Sequence, residues 1–404
     1  MSSQLKGNAV VGQSGGPTAV INQSLVGVIQ GVKECGHIEQ LLGARHGVRG
    51  IVDEKFIDLK KASGELLERV AITPAAALGS TRDKPDAAYC EKIFKSFAKN
   101  NVRYFFYIGG NDSADTARIV SELAKKEKYE LRVFHVPKTI DNDLRVHDHT
   151  PGYGSAAKFV AAAMIGDNFD NKSLPGIKVD IVMGRNAGFL TAASVLARQH
   201  AADGPHLIYV PEAPLSVEKF VADVDRVYTK HGRCLIAASE GISQPGGITW
   251  AEAMAENVER DGHGNAQLSG SGALGDFLAD LIKRKLGTGG RKLRVRADTF
   301  GYLQRSFPGF VSQVDATEAR RVGRMAVKYS SQGETEGSVA MKRLPGGSYS
   351  IDIFLTPLAS VAKETKHLEA SYIADGNNIT DAFVQYVKPL VGELPKVGSL
   401  EEIK

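Results

Sequence analysis

Cysteine is scarce in this 404-residue chain: Cys35, Cys90 and Cys234 stand far apart, with no C-x-x-C pair. That excludes a disulfide framework and a structural zinc site, and free thiols suit a reducing cytosol. Long apolar runs are absent as well. No stretch reaches the roughly 18 residues that a membrane-spanning helix needs. Met1 to Asn8 is polar and leads into a strand-like run, without the charged-then-apolar order of a secretory leader. A cytoplasmic protein is expected. Charge of one sign is also missing. Lys and Arg number 50 against 46 Asp and Glu, a net charge of +4. That balance argues against nucleic acid or a membrane surface as a general partner. Apolar residues make up 43% and charged residues 24%, which excludes a disordered or collagen-like chain. At about 150 residues per domain, two or three domains are expected, able to bury a large core without staples.

Glycine is plentiful, with 43 residues, and its placement is informative. Short apolar runs end in turns that carry Gly, Asp, Arg or Glu. Ala9-Val10-Val11 precedes Gly12 to Pro17, and Tyr104 to Ile108 precedes Gly109-Gly110-Asn111-Asp112-Ser113. Val133 to Val136 precedes Pro137-Lys138-Thr139-Ile140-Asp141-Asn142-Asp143. Ile181-Val182-Met183 precedes Gly184-Arg185, Leu207 to Val210 precedes Pro211-Glu212, and Leu235 to Ala238 precedes Ser239-Glu240-Gly241. Such runs read as buried parallel strands. Helical spacing separates them over Ala114 to Lys126, Ser155 to Ile165 and Ala187 to Arg198. Alternation of this kind predicts an α/β doubly wound fold, which binds ligands beyond the carboxyl ends of its strands. Gly262 to Gly275 and Gly287 to Lys292 read as loops around a helix at Asp276 to Lys285.

Each motif has a plain alternative. Gly12 to Pro17 suits an anion, because glycines let backbone N–H groups approach it and a following helix adds a positive end. It lacks the Gly-Lys-Ser/Thr of a P-loop. Two G-x-G-x-x-G/A strings, Gly152 to Ala157 and Gly270 to Gly275, do not follow strands, so a dinucleotide role is weak. His147 and His149 read as solvated loop side chains rather than a metal pair. Asp141 and Asp143 lie two apart, and an extended segment would point both the same way. One could then bind a metal while the other takes a proton, with Lys138 supplying positive charge as phosphoryl transfer needs. The alternative is an Asp-rich turn. Arg82 and Arg185 sit in Gly-containing loops. Arg296 and Arg305, with Tyr302 between them, could clasp a phosphate or could form a solvated basic edge.

The order of these pieces is more specific than any one of them. From about Ala9 to Arg305 the chain resembles the phosphofructokinase family. Pro137 to Asp143 followed by Met183-Gly184-Arg185 is the strongest part of the match. The resemblance implies two Rossmann-like α/β domains with mainly parallel sheets and an active site in the cleft between them. It places a phosphoryl-donor domain at 1–152 plus about 304–345, and a sugar domain at about 153–303 plus the C-terminal segment. It implies that Asp141 is the base toward the sugar 1-hydroxyl and that Asp143 belongs to the Mg²⁺ site. Thr139, Met183, Gly184, Arg185, Glu240, Tyr302 and Arg305 then sit where the family binds fructose 6-phosphate. Arg296 matches an arginine lent by a neighbouring subunit, which implies a homodimer or homotetramer. Gly16 and Arg82 match groups that hold the phosphoryl donor.

Two positions separate the donors within the family. ATP users have Gly where this chain has Asp112 and Lys138, and the pattern here is similar to that of the pyrophosphate-dependent members. Asp112 would set a carboxylate against an ATP α-phosphate. Lys138 would supply charge to the transferring and leaving phosphates. The chain departs from many relatives at Asn111, where they have Asp, so Asp112 is expected to share in holding the metal with Asn111 and Asp143. It also lacks an arginine shortly before the Met-Gly-Arg turn, where Lys178 is the nearest basic residue. The alternatives are an ATP-dependent phosphofructokinase, an acceptor such as sedoheptulose 7-phosphate, and a non-catalytic phosphate sensor. The sensor should have lost Asp141 and Asp143.

Overall fold

A computed structural model describes residues 5–254, 272–288, 292–362, 364–398 and 400. The Gly270 string and most of the Gly262 to Gly275 loop lie outside the described residues, as does part of Gly287 to Lys292. The strands of the two larger sheets are β1 (Gly7–Gln13), β2 (Ile38–Ala44), β3 (Phe56–Asp58), β4 (Val102–Gly109), β5 (Arg132–Pro137), β6 (Ile177–Val182), β7 (Leu207–Tyr209), β8 (Cys234–Ser239), β9 (Val295–Thr299), β10 (Glu336–Arg343) and β11 (Ile351–Thr356). The chain divides into two units, 1–155 with 305–366 and 156–304 with 367–404.

The first unit holds a seven-stranded sheet in the order β11-β10-β5-β4-β1-β2-β3. Its inner strands run parallel, and only β3 and β11, at the two edges, pair antiparallel. Both faces are apolar, as parallel strands covered by helices require. Ala9, Val11, Tyr104, Phe106, Phe134 and Val136 enter one core, while Val10, Phe105, Tyr107 and Val133 enter the other. This period of two is the alternation of a pleated strand. The chain leaves this unit after residue 366, not near 345 as expected. The reason is the β10–β11 hairpin, in which Arg343 pairs with Ile351 and keeps the intervening chain at the sheet edge.

The second unit holds a four-stranded parallel sheet in the order β7-β8-β6-β9. Its core gathers Val179, Ile181, Ile236, Phe220, Trp250 and Leu278. The helix at Ala273–Leu286 contains the expected Asp276 to Lys285. The expected helix at Ala187 to Arg198 is instead one turn, Phe189–Ala192, that tightens into a 3₁₀ segment at Ala193–Ala197. No helix among the described residues is long and apolar enough to cross a membrane.

Burial corrects one reading, and hydrogen bonding agrees with another. His147 and His149 are not solvated: they are 4% and 2% exposed. His149 Nδ1 lies 2.8 Å from Asp148, its Nε2 lies 2.7 Å from Glu318, and Tyr349 donates to Glu318 at 2.6 Å. These contacts tie the loop after β5 to the helix Gln313–Ser331. Gly152 to Ala157 opens the helix Tyr153–Ser173, yet Asp315 already accepts from the N–H groups of Gly152 and Ser155, each at 2.8 Å. A carboxylate therefore fills the place a nucleotide phosphate would need.

Burial alone would lower the pKa of His149, but the hydrogen bonds with Asp148 and Glu318 outweigh it and hold the value above normal. A raised folded value makes the stabilisation complete below the unfolded pKa of about 6.5 and removes it as pH rises through the folded value. The melting temperature should therefore fall on going from pH 6.5 to pH 9. One proton limits the slope to about 1.4 kcal/mol per pH unit. Thermal melts of the parent and His149→Gln across that range check this, and an equal slope in the variant would exclude His149 as its source.

Candidate active site

In the first sheet β5, β4 and β1 are neighbours, and Gln13 pairs with Ile108 while Gly109 pairs with Pro137. The turns after these three strands are therefore brought together although they are distant in the chain. Ser14 N donates to Ile108 O at 2.9 Å, and the hydroxyls of Ser14 and Ser113 bond each other. Gly15 has φ +73, a left-handed conformation that favours glycine. Its N–H is already given to Thr81 O at 2.9 Å, and its carbonyl accepts from Ser80 Oγ at 2.7 Å. The helix after this turn begins only at Ile21, so Gly12 to Pro17 forms a loop and not a helix N-terminus.

Lys138, 4% exposed, donates from Nζ to Gly16 O at 2.7 Å. A methyl group added at Gly15 would lie 3.1 Å from Lys138 Nζ, and one added at Gly16 would lie 3.1 Å from a guanidinium nitrogen of Arg305. The ammonium and the guanidinium thus converge on the Gly15-Gly16 turn. Burial lowers the Lys138 pKa to about 8. Asp141 and Asp143 work against that, while Arg305 and Arg82 add to it. Arg305, expected among the sugar contacts with Arg296, has its guanidinium beside Gly16 in the first unit, and Arg296 is an exposed residue of β9 in the second.

The Asp141–Asp143 segment is not extended. Asn142 lies at φ +58, so simple alternation does not relate the two carboxylates. The loop is held instead by specific bonds. Asp141 N donates to Thr139 Oγ1 at 3.1 Å, and Lys366 N donates to Asp143 O at 2.7 Å. Lys366 Nζ donates to the carbonyls of His147 and Asp148 at 3.0 and 2.8 Å. Asp143 Oδ1 is buried with no hydrogen-bond partner, and burial raises its carboxyl pKa above normal. An oxygen in that condition fits a metal ligand. Asn111 Nδ2 donates to Glu364 O at 3.2 Å, which leaves the amide oxygen as its metal-binding atom. Asp112 occupies the first turn of the helix Asn111–Lys126, exposed and 3.4 Å from Lys84 Nζ. Lys84 and Lys366 were not singled out in the sequence. Each meets its partner through packing, with no local spacing to announce it.

In the second unit the turns after β6 and β8 are locked together, with Val182 paired to Ser239. Ser239 Oγ donates to Gly184 O at 2.6 Å and accepts from Gly241 N at 3.1 Å. A methyl group at Gly241 would lie 1.9 Å from Arg185 O, so only glycine permits this approach. Glu240 is buried, and Arg185 is half-buried with Nε unpartnered. Buried Gln304, also missed in the sequence, accepts from Met183 N at 3.1 Å and donates to Gly301 O at 2.8 Å. It fastens the Met183 turn to the segment carrying exposed Tyr302. Glu212 has a framework role, with Oε1 accepting from the N–H groups of Gly188 and Leu368 at 3.0 and 2.8 Å.

The family profile described as Phosphofructokinase matches residues 8–330. A pyrophosphate–fructose 6-phosphate 1-phosphotransferase of Rhodospirillum rubrum is 55% identical over 96% of this chain and 95% of its own length. The enzyme of the same name from Xanthomonas campestris is 38% identical over 96% of this chain and 93% of its own. The crystal structure of a pyrophosphate-dependent phosphofructokinase from Marinobacter aquaeolei superposes with a TM-score of 0.84 at 33% identity, covering 97% of this chain and 94% of that one.

Proposed function

The chain belongs to the phosphofructokinase family, and we propose that it moves a phosphoryl group from pyrophosphate to the 1-hydroxyl of fructose 6-phosphate. The products are fructose 1,6-bisphosphate and orthophosphate. The observation that carries this reading is the buried Lys138 ammonium on Gly16 O, beside Arg305 and under the influence of Arg82. A buried ammonium and a guanidinium on one turn, with the Arg82 charge acting on the same ammonium, suit a small, highly charged donor that brings no base or ribose to bind. A coupled assay run with pyrophosphate and separately with ATP tests it, and turnover with ATP alone would overturn it.

In this reaction Asp141 takes the proton of the 1-hydroxyl. The new O–P bond forms as the bridging P–O bond of pyrophosphate breaks, and the second phosphate leaves. Lys138, Arg305 and Arg82 stabilise charge on the transferring and leaving phosphates. Asp143, with Asn111 and Asp112, would hold Mg²⁺, which when bound neutralises charge on the donor oxygens. Thr139, Met183, Gly184, Arg185, Glu240 and Tyr302 orient the sugar. Arg296, exposed on β9, would reach the 6-phosphate bound by a second copy of the chain, so a homo-oligomer in the cytoplasm is part of the proposal. One phosphoanhydride is exchanged for one phosphate ester, so the reaction runs in both directions.

Donor choice rests on Asp112. Its carboxylate is exposed at the start of a helix and only loosely paired with Lys84. Asp112→Gly should raise kcat/KM for ATP by about ten-fold or more, equivalent to about 1.4 kcal/mol, while pyrophosphate still serves. Steady-state kinetics with both donors at saturating Mg²⁺ measure this. If the variant excludes ATP as fully as the parent does, the carboxylate is not the selector.

A further inference from the structure

The two strands β6 and β9 sort their side chains by chemistry. Ile177, Val179, Ile181 and Val295 enter the apolar core of the second unit. The alternate positions of β6 are Lys178 and Asp180, and the register sets Arg296 and Asp298 of β9 beside them. Asp167 reaches the same place from the helix Tyr153–Ser173. Carboxylate oxygens of Asp167, Asp180 and Asp298 all lie within 4.8 Å of one another. None of these three residues takes part in the phosphoryl chemistry proposed above.

Lys178 supplies a counter-charge, but not enough of it. Its Nζ lies 2.8 Å from Asp167 and 2.7 Å from Asp298, yet 3.9 Å from Asp180. Asp180 is 0% exposed, and neither of its oxygens receives a hydrogen bond. Fully ionised, three carboxylates against one ammonium would carry two excess negative charges. A buried carboxylate without donors is costly, whereas a divalent cation would bring the four groups to neutrality. The side chain of Asp298 is 63% exposed, so the group is open to water at its outer end while Asp180 closes its inner end. Ligands that are all carboxylate oxygens suit a hard cation such as Mg²⁺, Ca²⁺ or Mn²⁺.

We propose that Asp167, Asp180 and Asp298 form a second divalent-cation site, separate from the reaction chemistry. It joins three elements, the helix Tyr153–Ser173, β6 and the edge strand β9. Arg296 lies two residues before Asp298 on that edge strand, so an occupied site would steady the strand that presents it.

Mn²⁺ is the probe, titrated into the full chain without pyrophosphate, with free Mn²⁺ read from its paramagnetic resonance signal. The parent should bind Mn²⁺ at this site. Asp180→Asn and Asp298→Asn should each weaken that binding by about ten-fold or more, while Asp143→Asn retains it. Melting curves give a second readout: Ca²⁺ should raise the melting temperature of the parent and leave that of Asp298→Asn unchanged. Should Asp180→Asn fail to fold, the exposed Asp298 carries the test alone. If the parent binds no Mn²⁺, or binds it as tightly after Asp298→Asn, or loses all binding with Asp143→Asn, the proposal is overturned.

Discussion

Asp141→Asn should lower kcat by about 10²–10⁴-fold, the usual cost of losing a positioned general base, while the KM for fructose 6-phosphate stays within a few-fold. The amide keeps the size and shape of the carboxylate but cannot take the proton of the sugar hydroxyl. The loop around it is also held by bonds that do not use that carboxylate. Asp141 N bonds Thr139 Oγ1, Asn142 supplies the left-handed turn, and Lys366 holds the following residues. The loss should therefore appear in kcat rather than in KM. Steady-state kinetics in both directions provide the check, because the same group must return the proton when fructose 1,6-bisphosphate is the substrate. A variant with near-parent kcat would remove Asp141 from the role of base.

Lys138→Met should lower kcat with pyrophosphate by about 10²–10³-fold, as removal of one preorganised charge costs ~2.7–4 kcal/mol. Methionine fills similar volume, so the turn at Gly15-Gly16 loses its ammonium without gaining a void. The pH profile adds a readout that a purely structural lysine would not move. With its pKa lowered by burial to about 8, Lys138 carries its charge below that value and sheds it above. In the parent, kcat/KM should fall as pH rises through about 8. In Lys138→Met the residual activity should lack that alkaline limb. An unaltered limb in the variant would assign it to another group. Arg305 and Arg82 act on the same turn, so combining Lys138→Met with Arg305→Ala need not give the sum of the single effects.

The residues that end the strands were legible in the sequence. Apolar runs closed by Gly, Asp, Arg or Glu are a local pattern, set by strand burial and by the sharp turn that follows. Pro137 to Asp143 and Met183 to Arg185 could thus be located, and the resemblance to phosphofructokinases gave them roles. Their partners were not legible. Lys138 meets Gly16 across 122 positions of sequence because β5, β4 and β1 are adjacent in the sheet. Arg305 joins the same turn from the far end of the domain, and Lys366 reaches back to the Asp141 loop. Alternation along a strand states which residues are buried, not which strand lies beside it. His149 shows the same limit, since its polar neighbours suggested solvent while Glu318 and Tyr349 enclose it from remote segments. The sequence by itself determined the strand-end chemistry, the α/β class and the family. Only the tertiary structure decided which charges meet, because strand order and helix packing are chosen by burial of whole apolar faces, and polar side chains meet where that burial leaves them.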